Sequence, residues 1–246
     1  MRTLVLALTG FFAATFAPAM AADMRPAKPA SAVATPINWT GFYVGINGGA
    51  GMTDGAMLDL DCVGCENIKL RTAFGTAGGQ FGYNWQWRAM VLGLEGDLNW
   101  ASANTSTGFN LCCGTGLAHF KFNAFASVRG RMGLAFDNAL IYVTAGPLWG
   151  HFRSSTISAL DEFVLVSNDN GWHPGLALGA GVEFILAGNW ALRGEYLFLH
   201  FKDIDRPLID GASTDSFSTC GDINCRINYA YSAHVARLGL NYRFGY

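Results

Sequence analysis

Residues 90–100 read Met90-Val91-Leu92-Gly93-Leu94-Glu95-Gly96-Asp97-Leu98-Asn99-Trp100. Met90, Leu92, Leu94, Gly96, Leu98 and Trp100 share one parity, and Glu95, Asp97 and Asn99 share the other. Successive side chains of a β-strand point to opposite faces, so the stretch is a strand with one apolar face and one polar, charged face.

The same period runs outward in both directions. Phe42, Val44, Ile46, Gly48 and Ala50 oppose Tyr43, Gly45, Asn47 and Gly49, while Ala77, Gly79, Phe81, Tyr83 and Trp85 oppose Gly78, Gln80, Gly82 and Asn84. Downstream, Phe120, Phe122, Ala124, Ala126, Val128, Met132 and Leu134 oppose Lys121, Asn123, Ser127, Arg129 and Arg131. Ile141 to Trp149 follows and contains Pro147, which cannot donate to a ladder and predicts a bulge or strand end nearby. The remaining runs are Leu176–Phe184 with Glu183 on the polar side, Trp190–Phe198 with Arg193 and Glu195, and Ala236–Phe244 with Arg237, Asn241 and Arg243. All ten charged residues of these eight runs fall on the polar side. One charge per charged strand fixes the choice of face, and chance agreement of the rest is about 1 in 30 for two faces per strand.

The expected fold is therefore all-β: an eight-stranded antiparallel up-and-down transmembrane β-barrel with short periplasmic turns and long extracellular loops. The connections Gln86–Ala89, Ala135–Ala139 and Ala187–Asn189 are short, whereas Met52–Arg71, Ala101–His119, Phe152–Gly171 and Leu199–Ala230 are long. Both termini then lie in the periplasm. Trp85, Phe184, Trp190, Tyr242 and Phe244 are expected at one aromatic girdle, and Trp100, Phe120, Trp149, Trp172 and Phe198 at the other. A soluble lipocalin-like barrel also has eight strands, but it has little reason for two girdles or for four long loops on one side.

Composition points the same way. Apolar residues make up 51% of the 246-residue chain, with 31 glycines and 14% charged residues. Beyond the N-terminal stretch, no segment holds about 18 uncharged apolar residues in a row, which argues against a helical membrane protein. The net charge of −2 lacks the clustered basic surface of a nucleic-acid binder. Arg2, the uncharged stretch Leu4–Phe16 and Ala19-Met20-Ala21 together read as a signal peptide over residues 1–21. Residues 22–38, with Pro26, Pro29 and Pro36, read as a Pro/Ala-rich periplasmic linker, and residues 39–246 as the barrel.

The inward set includes Glu95, Asp97, Arg129, Arg131, Glu183, Arg193, Glu195, Arg237 and Arg243, with Lys121 as a sixth base against four acids. Eight strands leave an interior just wide enough for side chains to fill, and opposite charges there would pair into a plug. The alternative is a narrow porin-like channel for small solutes lined by the same charges. A second alternative, a lipid-modifying enzyme, rests on Ser232 and His234 sharing a face near the outer rim. No G-x-S-x-G, H-E-x-x-H or P-loop is present, no cofactor is implied, and a rim histidine is the simpler reading.

Cys62, Cys65, Cys112, Cys113, Cys220 and Cys225 all fall in expected long loops. An even count in an exported chain favours disulfides, although Cys62-Val-Gly-Cys65 also admits metal or redox chemistry. Loop-closure entropy favours Cys62–Cys65 and Cys220–Cys225, leaving Cys112 and Cys113 as a vicinal pair or a bridge elsewhere.

Residues 38–49, Asn-Trp-Thr-Gly-Phe-Tyr-Val-Gly-Ile-Asn-Gly-Gly, and residues 235–246, Val-Ala-Arg-Leu-Gly-Leu-Asn-Tyr-Arg-Phe-Gly-Tyr, resemble the opening and closing strands of the alphaproteobacterial outer-membrane immunogenic proteins, small barrels grouped with opacity-type porins. Gly-Gln-Phe-Gly-Tyr-Asn-Trp at 79–85 and Leu-Gly-Leu-Glu-Gly-Asp at 92–97 carry the same likeness. The resemblance implies an outer-membrane location and a surface-exposed, often immunogenic protein without catalytic residues. Its expected role is structural, in envelope integrity and surface interaction. The expected partners are outer-membrane lipids, the barrel-assembly machinery during biogenesis, and host or surface ligands met through the loops. Gly245-Tyr246 departs from the usual terminal Phe, but Tyr242, Phe244 and Tyr246 share a phase, so an assembly signal is retained.

Overall fold

The structure is a computed structural model and describes residues 37–59, 68–111, 114–160, 163–207, 209–210 and 226–244. The expected signal peptide, most of the linker, all six cysteines and Tyr246 lie outside these residues.

Alternating residues build long strands: β1 (Gly41–Asp59), β2 (Ile68–Trp87), β3 (Met90–Leu111), β4 (Gly114–Phe136), β5 (Ala139–Leu160), β6 (Phe163–Ala187) and β7 (Trp190–Phe201). The short β8 (Ile204–Pro207) and β9 (Ile209–Asp210) precede β10 (Arg226–Phe244). Each of β1–β6 pairs antiparallel with its successor, β7 pairs with β10, and β10 pairs with β1. Eight strands thus close into a ring, which satisfies backbone groups without an open edge and lets the sheet cross hydrocarbon. β8 adds to the far end of β10, and β9 pairs with β6.

One end of the ring carries the tight turns Arg88-Ala89, Asp137-Asn138 and Gly188-Asn189, and also the start of β1 and the end of β10. Arg88, Asp137 and Gly188 have φ of 55°, 44° and 54°, the left-handed entry of mirror-image hairpin turns that match strand twist. At the other end the expected long loops are largely strand. β1 runs to Asp59 and β2 starts at Ile68, only Cys112 and Cys113 separate β3 from β4, and only two residues separate β5 from β6. Alternation marks a strand only where its two faces meet different media. Beyond the bilayer both faces meet water, so backbone pairing continues after the hydropathy pattern has stopped.

Two further expectations need correction. Pro147 causes neither a bulge nor a strand end. The β4–β5 ladder runs through Ser127↔Leu148, skips to Gly130↔Ala145 and resumes in the same register, because the missing N–H removes ladder bonds without adding a residue. The real bulge lies at Asn123, where the register shifts on both neighbours: Trp100↔Ala124 gives way to Ala103↔Phe122, and Ala124↔His151 to Phe122↔Phe152. It reverses the phase of the outer part of β4. Phe120 and Phe122 turn into the barrel and are buried, and Lys121 turns out and is exposed. Phe120 is therefore not a girdle residue.

The outward face is a continuous apolar belt, with Ile46, Phe81, Leu94, Leu98 and Leu238 among its exposed members. Inside, the lumen is layered. Trp39, Val91, Leu140 and Tyr142 cluster at the turn end, polar and charged side chains occupy the middle, and an aromatic cluster fills the hairpin half. Inward glycines make room for the larger groups. Tyr43 lies across its cross-strand partner Gly82, and Tyr142 across Gly181, where an added Cβ would sit 2.4 Å from the tyrosine Oη and 2.6 Å from the Gly194 carbonyl oxygen. Gly181→Val is accordingly expected to cost about 1–3 kcal/mol through overpacking. Urea titration followed by the mobility difference between folded and unfolded barrel measures it. The outward Gly79→Ala, whose Cβ would meet nothing closer than 3.5 Å, should leave the midpoint unchanged.

Candidate functional site

Residues two apart on a strand share a face, so Glu95 and Asp97 of β3 enter the lumen together beside their β4 partners Arg129 and Ser127. Arg129 Nη2 lies 2.6 Å from Glu95 Oε1 and 2.7 Å from Asp97 Oδ2. From the other side of the ring, Arg193 of β7 donates through both terminal nitrogens to Glu95, with Nη2 at 2.8 Å, and also pairs with Glu195. Glu195 in turn accepts from Arg129 Nη1 at 3.2 Å and from its β10 partner Arg237, at 2.8 Å through Nε and 2.6 Å through Nη2. Arg237 Nη2 reaches Asp97 Oδ2 at 3.4 Å and closes the circuit. Three carboxylates and three guanidiniums drawn from four strands thus form one cluster across the barrel.

A second pair lies nearer the turn end. Arg131 of β4 pairs with Glu183 of β6, and its guanidinium carbon sits 3.8 Å from the centre of the Tyr142 ring. Glu183 also accepts from Asn241, the last link of a relay in which Asn47 donates to Gln80 and Gln80 to Asn241. Neutral donors complete the coordination. Tyr43 Oη donates to Glu95 at 2.6 Å, and Ser127 and Asn99 each donate to Asp97 at 2.8 Å. Arg243 stands apart, donating to the Asn38 carbonyl oxygen with its guanidinium 4.7 Å from the Trp39 ring centre.

Of the ten charges expected inside, all but Lys121 are buried, and the structure brings eight of those nine into these two clusters. With Lys121 outside and Arg243 at the turn end, four arginines face four carboxylates. Balance matters because an unpaired charge in a low-dielectric interior costs several kcal/mol, whereas opposite charges paired in equal number can be held there. The network fixes which side chains cross the lumen more than it adds stability.

Sequence reasoning missed the layer above. Phe74, Phe120, Phe122, Phe152, Phe201 and Tyr231, from β2, β4, β5, β7 and β10, meet inside the hairpin half. Ring centres lie 4.5 Å apart for Phe120–Tyr231, 4.9 Å for Phe122–Phe152 and 4.7 Å for Phe152–Phe201. The signal was present in the odd spacing of Phe122 and Phe125, and in Leu197, Leu199 and Phe201 continuing the face that carries Arg193 and Glu195. Tyr43 and Tyr142 were also absent from the named charge network, since a tyrosine on a polar face does not announce its partner.

Ser232 and His234 lie half-buried on the outward face of β10. Ser232 donates to the main-chain oxygen of Asp54 at 3.3 Å, while His234 Nδ1 lies 2.5 Å from Tyr196 Oη and its Nε2 3.7 Å from the Asp54 carboxylate. A carboxylate does approach this histidine, from β1. The serine and the imidazole nevertheless have separate partners and do not form the hydrogen-bonded couple that nucleophilic catalysis requires.

The model of the outer membrane protein beta-barrel domain family matches residues 3–244. A 31 kDa outer-membrane immunogenic protein of Brucella melitensis biotype 1 is 32% identical over 255 residues, covering 99% of this chain and all of its own length. A 22 kDa outer membrane protein of Rhizobium leguminosarum bv. viciae is 30% identical over 224 residues, covering 91% of this chain and 83% of its own. Among solved structures, Ail, the attachment invasion locus protein of Yersinia pestis, covers 83% of this chain and 99% of its own at 17% identity and a TM-score of 0.36, too distant to carry an argument.

Proposed function

This chain belongs to the outer-membrane β-barrel family, as a relative of outer-membrane immunogenic proteins located in the cell outer membrane, and from that membership we propose a non-conducting surface barrel that presents its hairpin end outside the cell. Short turns on the periplasmic side and long excursions on the outer side are the rule for such barrels, which orients this one. Its role is then to anchor and stiffen the envelope, and to offer strand-supported hairpins to surface ligands and antibodies.

The observation that carries the closed interior is the stacking of two unlike barriers. The charge clusters cross the middle of the lumen, and the aromatic cluster fills the half above them. A hydrated ion entering from outside would first lose water against phenyl rings and then meet guanidiniums already committed to carboxylates. In planar bilayers the purified, folded barrel is expected to give no unitary conductance steps in molar salt. Regular steps that persist in single insertions would favour the narrow-channel reading instead.

A further inference from the structure

The bulge at Asn123 does more than fill the lumen with Phe120 and Phe122. It aims Lys121 outward, directly opposite Arg153 of β5 in the antiparallel register. Like charges facing each other on one sheet surface repel, so this pair is unfavourable unless an anion lies between or over it. His119, two residues farther along β4, adds a third group able to carry positive charge and is held by Ser106 Oγ at 2.7 Å. Arg153 Nε donates to Asn170 Oδ1 at 3.1 Å, which steadies the guanidinium. The nearby carboxylate of Asp169 lies 2.7 Å from His173 Nε2. His119, Lys121, Arg153, Asp169 and Asn170 border a shallow depression of about 570 Å³ on the hairpin half of the barrel.

Its height is informative. One step down the same strands, His151 and Trp172 are cross-strand partners with ring centres 5.4 Å apart, and Trp149 lies one step lower on β5. Tryptophan belts mark the boundary between hydrocarbon and headgroups, and two residues of strand rise about 7 Å. The Lys121–Arg153 row therefore sits where headgroups of the hairpin-side leaflet begin.

We propose that Lys121, Arg153 and His119 form a docking site for the phosphate-bearing sugar headgroup of an outer-leaflet glycolipid. Lysine offers a compact charge and arginine a planar fork to phosphate oxygens, and the flanking Asn170 and Ser155 suit sugar hydroxyls. Basic clusters at headgroup height recognise anionic lipids by this chemistry. A bound headgroup would neutralise the facing cations and tie the barrel to its leaflet. The site rests on the orientation proposed above but not on whether the lumen conducts.

The test titrates the folded, detergent-solubilised barrel with bisphosphorylated lipid A, enzymatically dephosphorylated lipid A, phosphatidylglycerol and inorganic phosphate, and reads bound lipid by native mass spectrometry. The unmodified barrel is expected to retain bisphosphorylated lipid A at least tenfold more than the other three. Lys121→Ser/Arg153→Ser should lose that preference, Lys121→Gln and Arg153→Gln should each lose part of it, and Arg153→Lys should keep most of it. Arg71→Ser removes another exposed cation, the one paired with Asp54, and should change nothing. Heat-dependent gel mobility confirms that every variant is folded. Equal retention by the double variant, or equal retention of dephosphorylated lipid A, phosphatidylglycerol or inorganic phosphate, overturns the site. Protease accessibility of the hairpin end in intact cells tests the orientation separately, since the titration does not depend on it.

Discussion

Glu95→Leu is expected to destabilise the barrel by about 3–5 kcal/mol, the range for removing one partner of a buried ion cluster. Glu95 accepts from Arg129, Arg193 and Tyr43, and its side chain is 0% exposed. Leucine leaves three guanidiniums to share Asp97 and Glu195, with one positive charge in excess and a tyrosine hydroxyl without its acceptor. Urea midpoints in lipid vesicles, read by the mobility difference between folded and unfolded forms, measure the loss. Glu95→Leu/Arg193→Leu restores the charge balance and should recover most of it, a coupling that a double-mutant cycle isolates. The same measurement bears on the closed lumen. In a water-filled pore the charges would be screened, and Glu95→Leu would cost no more than about 1 kcal/mol, as for exposed pairs. A midpoint shift that small would argue against the sealed interior.

The second large effect lies one residue away on the opposite face. Leu94 is 56% exposed and sits in the middle of the outward run Met90–Trp100, where it meets acyl chains. Leu94→Arg is expected to cost about 2–4 kcal/mol near the bilayer midplane. Less folded protein should reach the outer membrane, as read from the heat-modifiable band in membrane fractions. Asp97→Asn is the contrasting change. The amide leaves one positive charge in excess, as Glu95→Leu does, but it keeps the shape, still accepts a hydrogen bond, and leaves Arg129 and Arg237 paired with Glu195, which moderates the cost. Its loss of folded protein should be clearly smaller. Comparable losses for Leu94→Arg and Asp97→Asn would defeat the assignment of faces on β3.

The two predictions together show how much of this protein was legible in its sequence. Residues 90–100 read as a strand with lipid on one side and charge on the other because burial costs differ sharply between the two environments. Leu94 and Glu95 therefore could not exchange places. The same contrast marked all eight ring strands, the three tight turns at Arg88, Asp137 and Gly188, and the inward placement of nine charged residues. It failed where the contrast failed. In the hairpin half, Leu197, Leu199 and Phe201 make the inner face apolar as well, and strict alternation carried past Asn123 placed Lys121 inside and Phe120 outside.

The sequence by itself determined the β-period, the number of strands, the membrane-spanning belt and the face of nearly every charge, since each follows from the local alternation of side chains across a pleated strand. Only the tertiary structure decided the rest. Which arginine meets which carboxylate depends on ring closure, which sets Arg193 of β7 against Glu95 of β3, 98 residues away. The phase of β4 depends on the irregularity at Asn123, an extra residue against β5 but a single residue facing two of β3, and its position is fixed by register with both neighbours. The length of the hairpins depends on backbone pairing, which persists in water where hydropathy no longer distinguishes one face from the other.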